Sequence, residues 1–166
     1  NIGPRGDGTV PQRAVKTLKE SGDWIRRYPQ VVYGTEASPW EHALPWGDVT
    51  RKGNTLFLCV MEWPTSGKLY LPNLSTPIAS ARLLDGERTQ PLAATRRGDW
   101  VVVEVPPRAP EKLVSVIELK LKAEPQVDPI WSLDPDHETE ILAEFAEVAG
   151  IEKSEKRWME KFGEWK

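Results

Sequence analysis

The stretch DVTRKGNTLFLCVMEWPTSGKLYL, residues 48–71, decides the fold class of this chain. A short β-forming segment leads into a turn at Lys52-Gly53-Asn54, and a long run of β-forming residues follows that turn. Pro64 ends the run, Ser66-Gly67 turns the chain again, and the last four residues alternate in polarity. Runs of β-forming residues separated by short turn sequences predict antiparallel strands joined by hairpins.

Segments of the same kind lie on both sides of this stretch. We predict further strands in QVVYGT (residues 30–35), IASARLL, WVVVEV and LVSVIELKLK, and a weak strand around residues 89–95. The total is seven or eight strands at a spacing of about 8–12 residues, with no helix between them long enough for a parallel crossover. The sequence therefore predicts that residues 30–122 form an antiparallel β-sandwich.

A helical pattern precedes the strands. Residues 1–10 are predicted to form a loop that contains the turn dipeptide Asp7-Gly8. A helix is predicted from Pro11 to about Arg27, and Pro29 ends it. Its apolar residues fall near one stripe: Ala14, Val15, Leu18 and Ile25. No element precedes this helix in the sequence to cover that stripe.

The end of the chain, residues 123–166, differs in composition from the helical and strand-forming segments before it. Residues 123–136 contain three prolines and are interpreted as a linker. Residues 137–166 are acidic and predict a short helix that ends at Gly150, followed by a charged and aromatic stretch. We interpret residues 137–166 as the truncated start of a further module.

Composition excludes several classes of protein. With 39% hydrophobic and 28% charged residues, the 166-residue chain is of globular type. It has no apolar run of membrane-spanning length and, at a net charge of −3, no basic stripe with interleaved aromatics. We therefore expect neither membrane nor nucleic acid as a partner. One cysteine and two histidines exclude an internal disulfide and a Cys/His zinc site.

Residues able to carry catalysis are few and poorly placed. His42 and His137 are isolated and lie near no nucleophile motif. Asp7 is the best local carboxylate candidate, although its position before a glycine in a turn explains it structurally. Asp48 lies beside a predicted strand start, where a hydrogen bond at the rim explains it equally well. Cys59 lies in an apolar run and is interpreted as a buried, inert thiol.

Two other features also have structural explanations. Gly3, Gly6 and Gly8 lack the lysine of a phosphate-binding loop. The eight tryptophans suit stacking on sugar rings, but large aromatics within regular elements normally fill the core. We expect the following four to be core residues: Trp24, Trp46, Trp63 and Trp100. The residues alone thus reveal no active site.

Two ordered blocks of sequence carry a resemblance to a known family. The first is NIGPRGDGTVPQRAVKTLKESGDWIRRYPQVVYGTEASPW (residues 1–40), with its asparagine-isoleucine-glycine-proline segment, DG turn, GDW and YGT. The second is WGDVTRKGNTLFLCVMEWPTSGKLYLPNL (residues 46–74), with a TRKGNTL strand, a WP turn and a GKL strand. Over about residues 1–122 the chain resembles the C-terminal part of glycoside hydrolase family 29 α-L-fucosidases.

The resemblance implies an architecture and an activity. Residues 1–29 would be the last loop and helix of a truncated (β/α)8 barrel, with Asn1 at the end of its eighth strand. The parent enzyme would hydrolyse terminal α-L-fucose by a retaining mechanism with an aspartate nucleophile and a glutamate acid/base. Both would lie upstream of this chain, so no residue of 1–166 is assigned a catalytic, cofactor or metal role. The implied partners are a fucosylated glycan and the chain's own barrel, in a secreted, periplasmic or lysosomal location.

Two alternatives belong to other classes of function. In the first alternative, the chain is a non-catalytic carbohydrate-binding sandwich. Exposure of Trp40 and Trp131 in their proline-flanked loops would favour this alternative. In the other it is a purely structural sandwich that supports the barrel. That alternative predicts no affinity for sugars and an exposed stripe on the helix at 11–27.

Overall fold

The computed structural model describes residues 3–41 and 43–128. Ten elements follow one another along this part of the chain. They are α1 (Gln12–Arg27), α2 (Pro29–Val32), β1 (Gly47–Lys52), β2 (Thr55–Val60), β3 (Lys68–Pro72), β4 (Ile78–Asp85), β5 (Arg88–Leu92), β6 (Ala94–Arg97), β7 (Trp100–Glu104) and β8 (Ser115–Leu121).

The strands form two antiparallel sheets. The larger sheet has the order β1-β2-β8-β4-β5, and the smaller has the order β3-β7-β6. Every pairing between neighbouring strands is antiparallel, and one hydrophobic core contains side chains from both sheets. The predicted mainly β, antiparallel sandwich is therefore confirmed for the described residues.

Strand β2 shows how the sequence builds both faces of the larger sheet. Leu56, Leu58 and Val60 lie in the core between the sheets, whereas Phe57 and Cys59 belong to a second apolar cluster. Alternate residues of a strand face opposite sides, so an almost wholly apolar run places apolar side chains on both. This explains why TLFLCV is apolar throughout instead of alternating.

The second cluster covers the outer face of the larger sheet. Tyr28 and Val31, from the segment around α2, pack there with Phe57, Leu84 and Val116. Both covering side chains are almost fully buried. Burying a side chain of this size stabilises a fold by about 1.5–3 kcal/mol, so this contact fixes the start of the chain onto the sandwich.

Two details of the strand prediction are corrected. QVVYGT forms no strand, because Pro29 begins the short helix α2 and the Tyr33 N–H donates to the Pro29 carbonyl. The weak strand around 89–95 is two strands in different sheets, β5 and β6, with Ala93 between them. Pro91 is tolerated because β5 lies at the edge of the larger sheet.

The predicted helix is present as α1, and its apolar stripe is only partly covered, with Ala14, Val15 and Ile25 half-buried. No residue of α1 is buried, and Leu18 is 52% exposed. Within the described residues no helix is long and apolar enough to cross a membrane. The predictions made for Asn1, His42, Trp131, most of the linker and residues 137–166 lie outside the described residues.

Candidate functional site

Asp7 stabilises its own turn. Its Oδ1 accepts hydrogen bonds from the Thr9 backbone N–H at 3.0 Å and from the Thr9 hydroxyl at 2.7 Å. These bonds favour the charged carboxylate and lower the pKa of Asp7 below its usual value. A general acid needs the opposite shift, so the geometry matches the structural interpretation of this residue.

Asp48 and Cys59 are cross-strand partners in the larger sheet. The Asp48 carboxylate accepts a hydrogen bond from the N–H of Val49 at 2.7 Å, as expected for a rim position. The thiol of Cys59 is free and buried. Burial, and secondarily the charge of Asp48, raise the pKa of Cys59 to about 11. A thiol held protonated in this way is a poor nucleophile, in agreement with the predicted inert cysteine.

Two exposed carboxylates share one cation. Arg51 contacts both Glu36 and Glu124, whose side chains are 61% and 67% exposed. A retaining glycosidase pair works instead with the sugar between the two carboxyl groups. Among residues 3–41 and 43–128 no group of three or more His, Cys, Asp or Glu side chains is arranged to hold a metal ion.

Within residues 3–41 and 43–128, the tryptophans are tied into the fold mainly by hydrogen bonds from their indole N–H groups. Four of them donate to backbone carbonyls at 2.8–2.9 Å: Trp24 to Val114, Trp40 to Pro72, Trp46 to Tyr70 and Trp63 to Pro106. Buried indoles normally find such a partner. Each of these bonds ties a loop or helix to a distant segment, which sequence alone did not reveal.

Two of these bonds end on the same edge strand. Trp40 and Trp46 donate to carbonyls two residues apart on β3, which lies at the edge of the smaller sheet. Unpaired carbonyls on a sheet edge invite association with other strands, so the two indoles protect this edge. Trp40 is 9% exposed and offers no free face to a sugar. The exposure that would favour sugar binding is therefore absent at Trp40.

The expected core positions of the other tryptophans are partly met. Trp46 and Trp100 are buried, whereas Trp24 and Trp63 are half-buried at the margins of the two apolar clusters. Trp63 and Trp46 meet at one surface depression, which we call the aromatic cleft. It has a volume of about 290 Å³ and is lined by Pro45, Trp46, Glu62, Trp63, Pro64, Thr65, Ser66, Lys68 and Tyr70.

A glycine positions the wall of the aromatic cleft. The Trp46 carbonyl accepts hydrogen bonds from the N–H groups of both Met61 and Glu62, at 2.9 and 3.0 Å. This brings Gly47, at φ 150°, so close to β2 that a Cβ would lie 2.1 Å from the Cys59 carbonyl oxygen. Only glycine fits there, and the close approach holds Trp46 beside the segment that carries Trp63.

The junction between α1 and the sandwich is the second polar feature of the fold. The Tyr28 hydroxyl donates to Glu111 Oε1 at 2.8 Å, and Arg27 pairs with the same oxygen. The Trp24 indole donates to the backbone carbonyl of Val114, which follows shortly after Glu111 in the sequence. These contacts all involve the C-terminal end of α1 and the residue that follows it.

Comparisons with known proteins agree on one kind of enzyme. The chain is 28% identical over 113 residues to the plasma alpha-L-fucosidase of Pongo abelii, a match that covers 64% of this chain and 24% of that protein. Its fold is similar to alpha-L-fucosidase isoenzyme 1 from Paenibacillus thiaminolyticus, with a TM-score of 0.60 and 30% identity over 74% of this chain and 30% of that one. It also resembles the alpha-L-fucosidase from Vibrio sp. strain EJY3, with a TM-score of 0.63 and 27% identity over 78% of this chain and 24% of that one.

These matches confirm the resemblance read from the sequence. The chain spans about a quarter of the length of the curated relative it matches. No family model matches. The mainly antiparallel β fold corresponds to the C-terminal β domain of the similar fucosidases.

Proposed function

We propose that the protein is part of an α-L-fucosidase that releases terminal α-L-fucose from glycans, and that residues 30–122 are its C-terminal β-sandwich. The observation that carries this is the agreement between sequence and fold: both comparisons lead to α-L-fucosidases, at 28% and 30% identity. The proposed substrate is a fucosylated glycan.

The proposal extends to residues 1–29, which we assign to the last loop and outer helix of the catalytic (β/α)8 barrel. The incomplete burial of the α1 stripe, with Leu18 exposed and no residue fully buried, supports this assignment, because an amphipathic helix normally buries its apolar face. Outer helices of such barrels pack on the strands beneath them. A barrel would therefore provide the partner that α1 lacks within the described residues.

In this account the chemistry belongs to a carboxylate pair elsewhere in the longer protein. A nucleophilic aspartate and a glutamate acid/base about 5–5.5 Å apart would form and hydrolyse a fucosyl-enzyme with net retention. Asp7 supports a turn and Glu36 and Glu124 contact Arg51, so none of these three carboxylates is assigned to that pair. In this chain, Trp24 and Tyr28 join the proposed barrel helix α1 to the sandwich through their bonds to Val114 and Glu111.

The test compares two proteins with p-nitrophenyl α-L-fucoside as substrate. The complete translation product of the gene is expected to hydrolyse it and to leave the matching β-galactoside intact. The 166-residue chain alone is expected to be inactive towards both. A complete product that is folded and leaves the fucoside intact would refute the proposal, as would hydrolysis by the 166-residue chain itself.

A further inference from the structure

We propose that the aromatic cleft is a carbohydrate-binding site that takes a pyranose ring of the glycan. The proposal rests on the proposed function for the class of ligand, and it adds a binding site on the sandwich. It is carried by the cleft's rigid aromatic walls, its unpaired charged groups and its size.

The walls of the cleft are preorganised. The Trp46 indole is fixed by its hydrogen bond to the Tyr70 carbonyl, and the Trp63 indole by its bond to the Pro106 carbonyl, both at 2.9 Å. Aromatic rings held in this way lose little conformational freedom when a ligand binds. The C–H face of a pyranose, the apolar side of an otherwise polar molecule, would pack on the half-buried Trp63 ring, whereas Trp46, at 7% exposed, supports the wall without offering a face.

The charged groups of the cleft are available to a ligand. The side chains of Glu62 and Lys68 make no ion pair within the described residues, whereas Arg82 and Glu118 on the larger sheet are paired. A carboxylate accepts hydrogen bonds from neighbouring sugar hydroxyls, and an ammonium group donates to hydroxyl oxygens. The Ser66 hydroxyl does not occupy the side chains of Glu62 and Lys68, because it is hydrogen-bonded to the backbone of Lys68.

The size of the cleft suits a small ligand. Its volume of about 290 Å³ is just below the roughly 300–1,000 Å³ typical of small-molecule pockets. Apolar walls with a few polar groups are also the usual composition of such pockets. One or two sugar rings fit this description.

The cleft lies at the same end of the larger sheet as the anchor of α1. Val60 is the last residue of β2 before the cleft residues 62–66, and it pairs with Ser115. Ser115 directly follows Val114, whose carbonyl accepts the bond from Trp24. A glycan held in the cleft is thus bound at the end of the sandwich where the chain enters from α1. This is where a site on the sandwich can assist an enzyme domain joined through α1.

The test uses the full 166-residue chain labelled with ¹⁵N, and three probes: L-fucose, lactose and an α-L-fucosyl-lactose trisaccharide. The indole N–H resonances of Trp46 and Trp63 are expected to shift saturably with at least one probe. The resonance of Trp24, outside the cleft, is expected to stay in place. The double variant Glu62→Gln/Lys68→Gln is expected to weaken binding at least tenfold.

A matched control removes the same two charges elsewhere. Glu87→Gln/Arg88→Gln alters exposed side chains at the β4–β5 turn and is expected to leave binding unchanged. Unmoved Trp46 and Trp63 resonances with all three sugars would overturn the proposal, and so would equal binding by the two double variants. A failure of the proposed function is recognised separately, as absence of fucoside hydrolysis by the complete protein, whatever the cleft binds.

Discussion

Tyr28 and Glu111, 83 residues apart in the chain, are joined by a hydrogen bond of 2.8 Å from the tyrosine hydroxyl to Glu111 Oε1. Tyr28 is fully buried, and burial raises the pKa of its hydroxyl, with the bond to Glu111 adding to the effect. The same hydroxyl accepts a hydrogen bond from the Gly86 N–H at 3.3 Å. One side chain thus connects the helical segment to the β4–β5 turn and to the segment before β8.

Tyr28→Phe is expected to lower the free energy of unfolding of the chain by about 1–2 kcal/mol. The substitution keeps the ring packing and removes hydrogen bonds whose partners are partly buried. Urea unfolding measures the change. The control is Tyr33→Phe, which alters a tyrosine that is 64% exposed and should change stability by less than about 0.5 kcal/mol. Equal effects of the two substitutions would show that the Tyr28 hydroxyl has no special role.

Gly47→Ala is expected to destabilise the fold by about 2 kcal/mol or more, because the new Cβ would collide with the backbone of β2. Gly53→Ala tests a positive φ without a collision and is expected to cost about 1 kcal/mol. Gly6→Ala meets neither condition and should be close to neutral. Thermal unfolding measures the loss of stability, which should be largest for Gly47→Ala, smaller for Gly53→Ala and smallest for Gly6→Ala. A neutral Gly47→Ala would contradict the close approach of β1 to β2.

Cys59 is expected to make the chain less stable at high pH. Its pKa is raised from 9.0 to about 11, so between these values the folded state retains a proton that the unfolded state has lost. The resulting stability is complete below pH 9 and decreases by about 2–3 kcal/mol as the pH rises to 11. Because Tyr28 also titrates with a raised pKa, the measurement is the difference in pH dependence between the wild type and Cys59→Ala. Parallel curves for the two proteins would contradict the assignment to Cys59.

The sequence predicted those elements whose pattern is local. The turns at Gly53 and Gly67 and the apolar run of β2 are enough to place three strands. QVVYGT misled because its β-branched residues follow Pro29, which begins a helical turn that buries Val31. Local propensity does not report such burial against another element.

The contacts that build the candidate site are long-range, and this is why sequence did not reveal them. Trp63 and Pro106 are 43 residues apart, and Trp24 and Val114 are 90 apart. A tryptophan count cannot tell an indole that binds a backbone carbonyl from one that offers its face to a ligand. The aromatic cleft emerges only when the loop before β1, the loop between β2 and β3, and β3 itself are brought together.

Leu18→Glu separates a free helix from one that packs on a barrel. Leu18 is 52% exposed, so in the 166-residue chain the substitution should change the free energy of unfolding by less than about 0.5 kcal/mol. In the complete protein, where we propose that α1 packs on the barrel, it should cost about 2 kcal/mol or more. Lys19→Glu, off the apolar stripe, is the control and should be near neutral in both. A neutral Leu18→Glu in the complete protein would argue against the barrel assignment of α1.

The most direct measurement of the central claim is ¹H NMR of the first product formed when the complete protein acts on p-nitrophenyl α-L-fucoside. The account predicts that α-L-fucose appears first and then mutarotates, since two displacements at the same carbon retain its configuration. β-L-Fucose as the first product would contradict the retaining mechanism. No release of fucose at all by the folded, complete protein would contradict the assignment of this chain to an α-L-fucosidase.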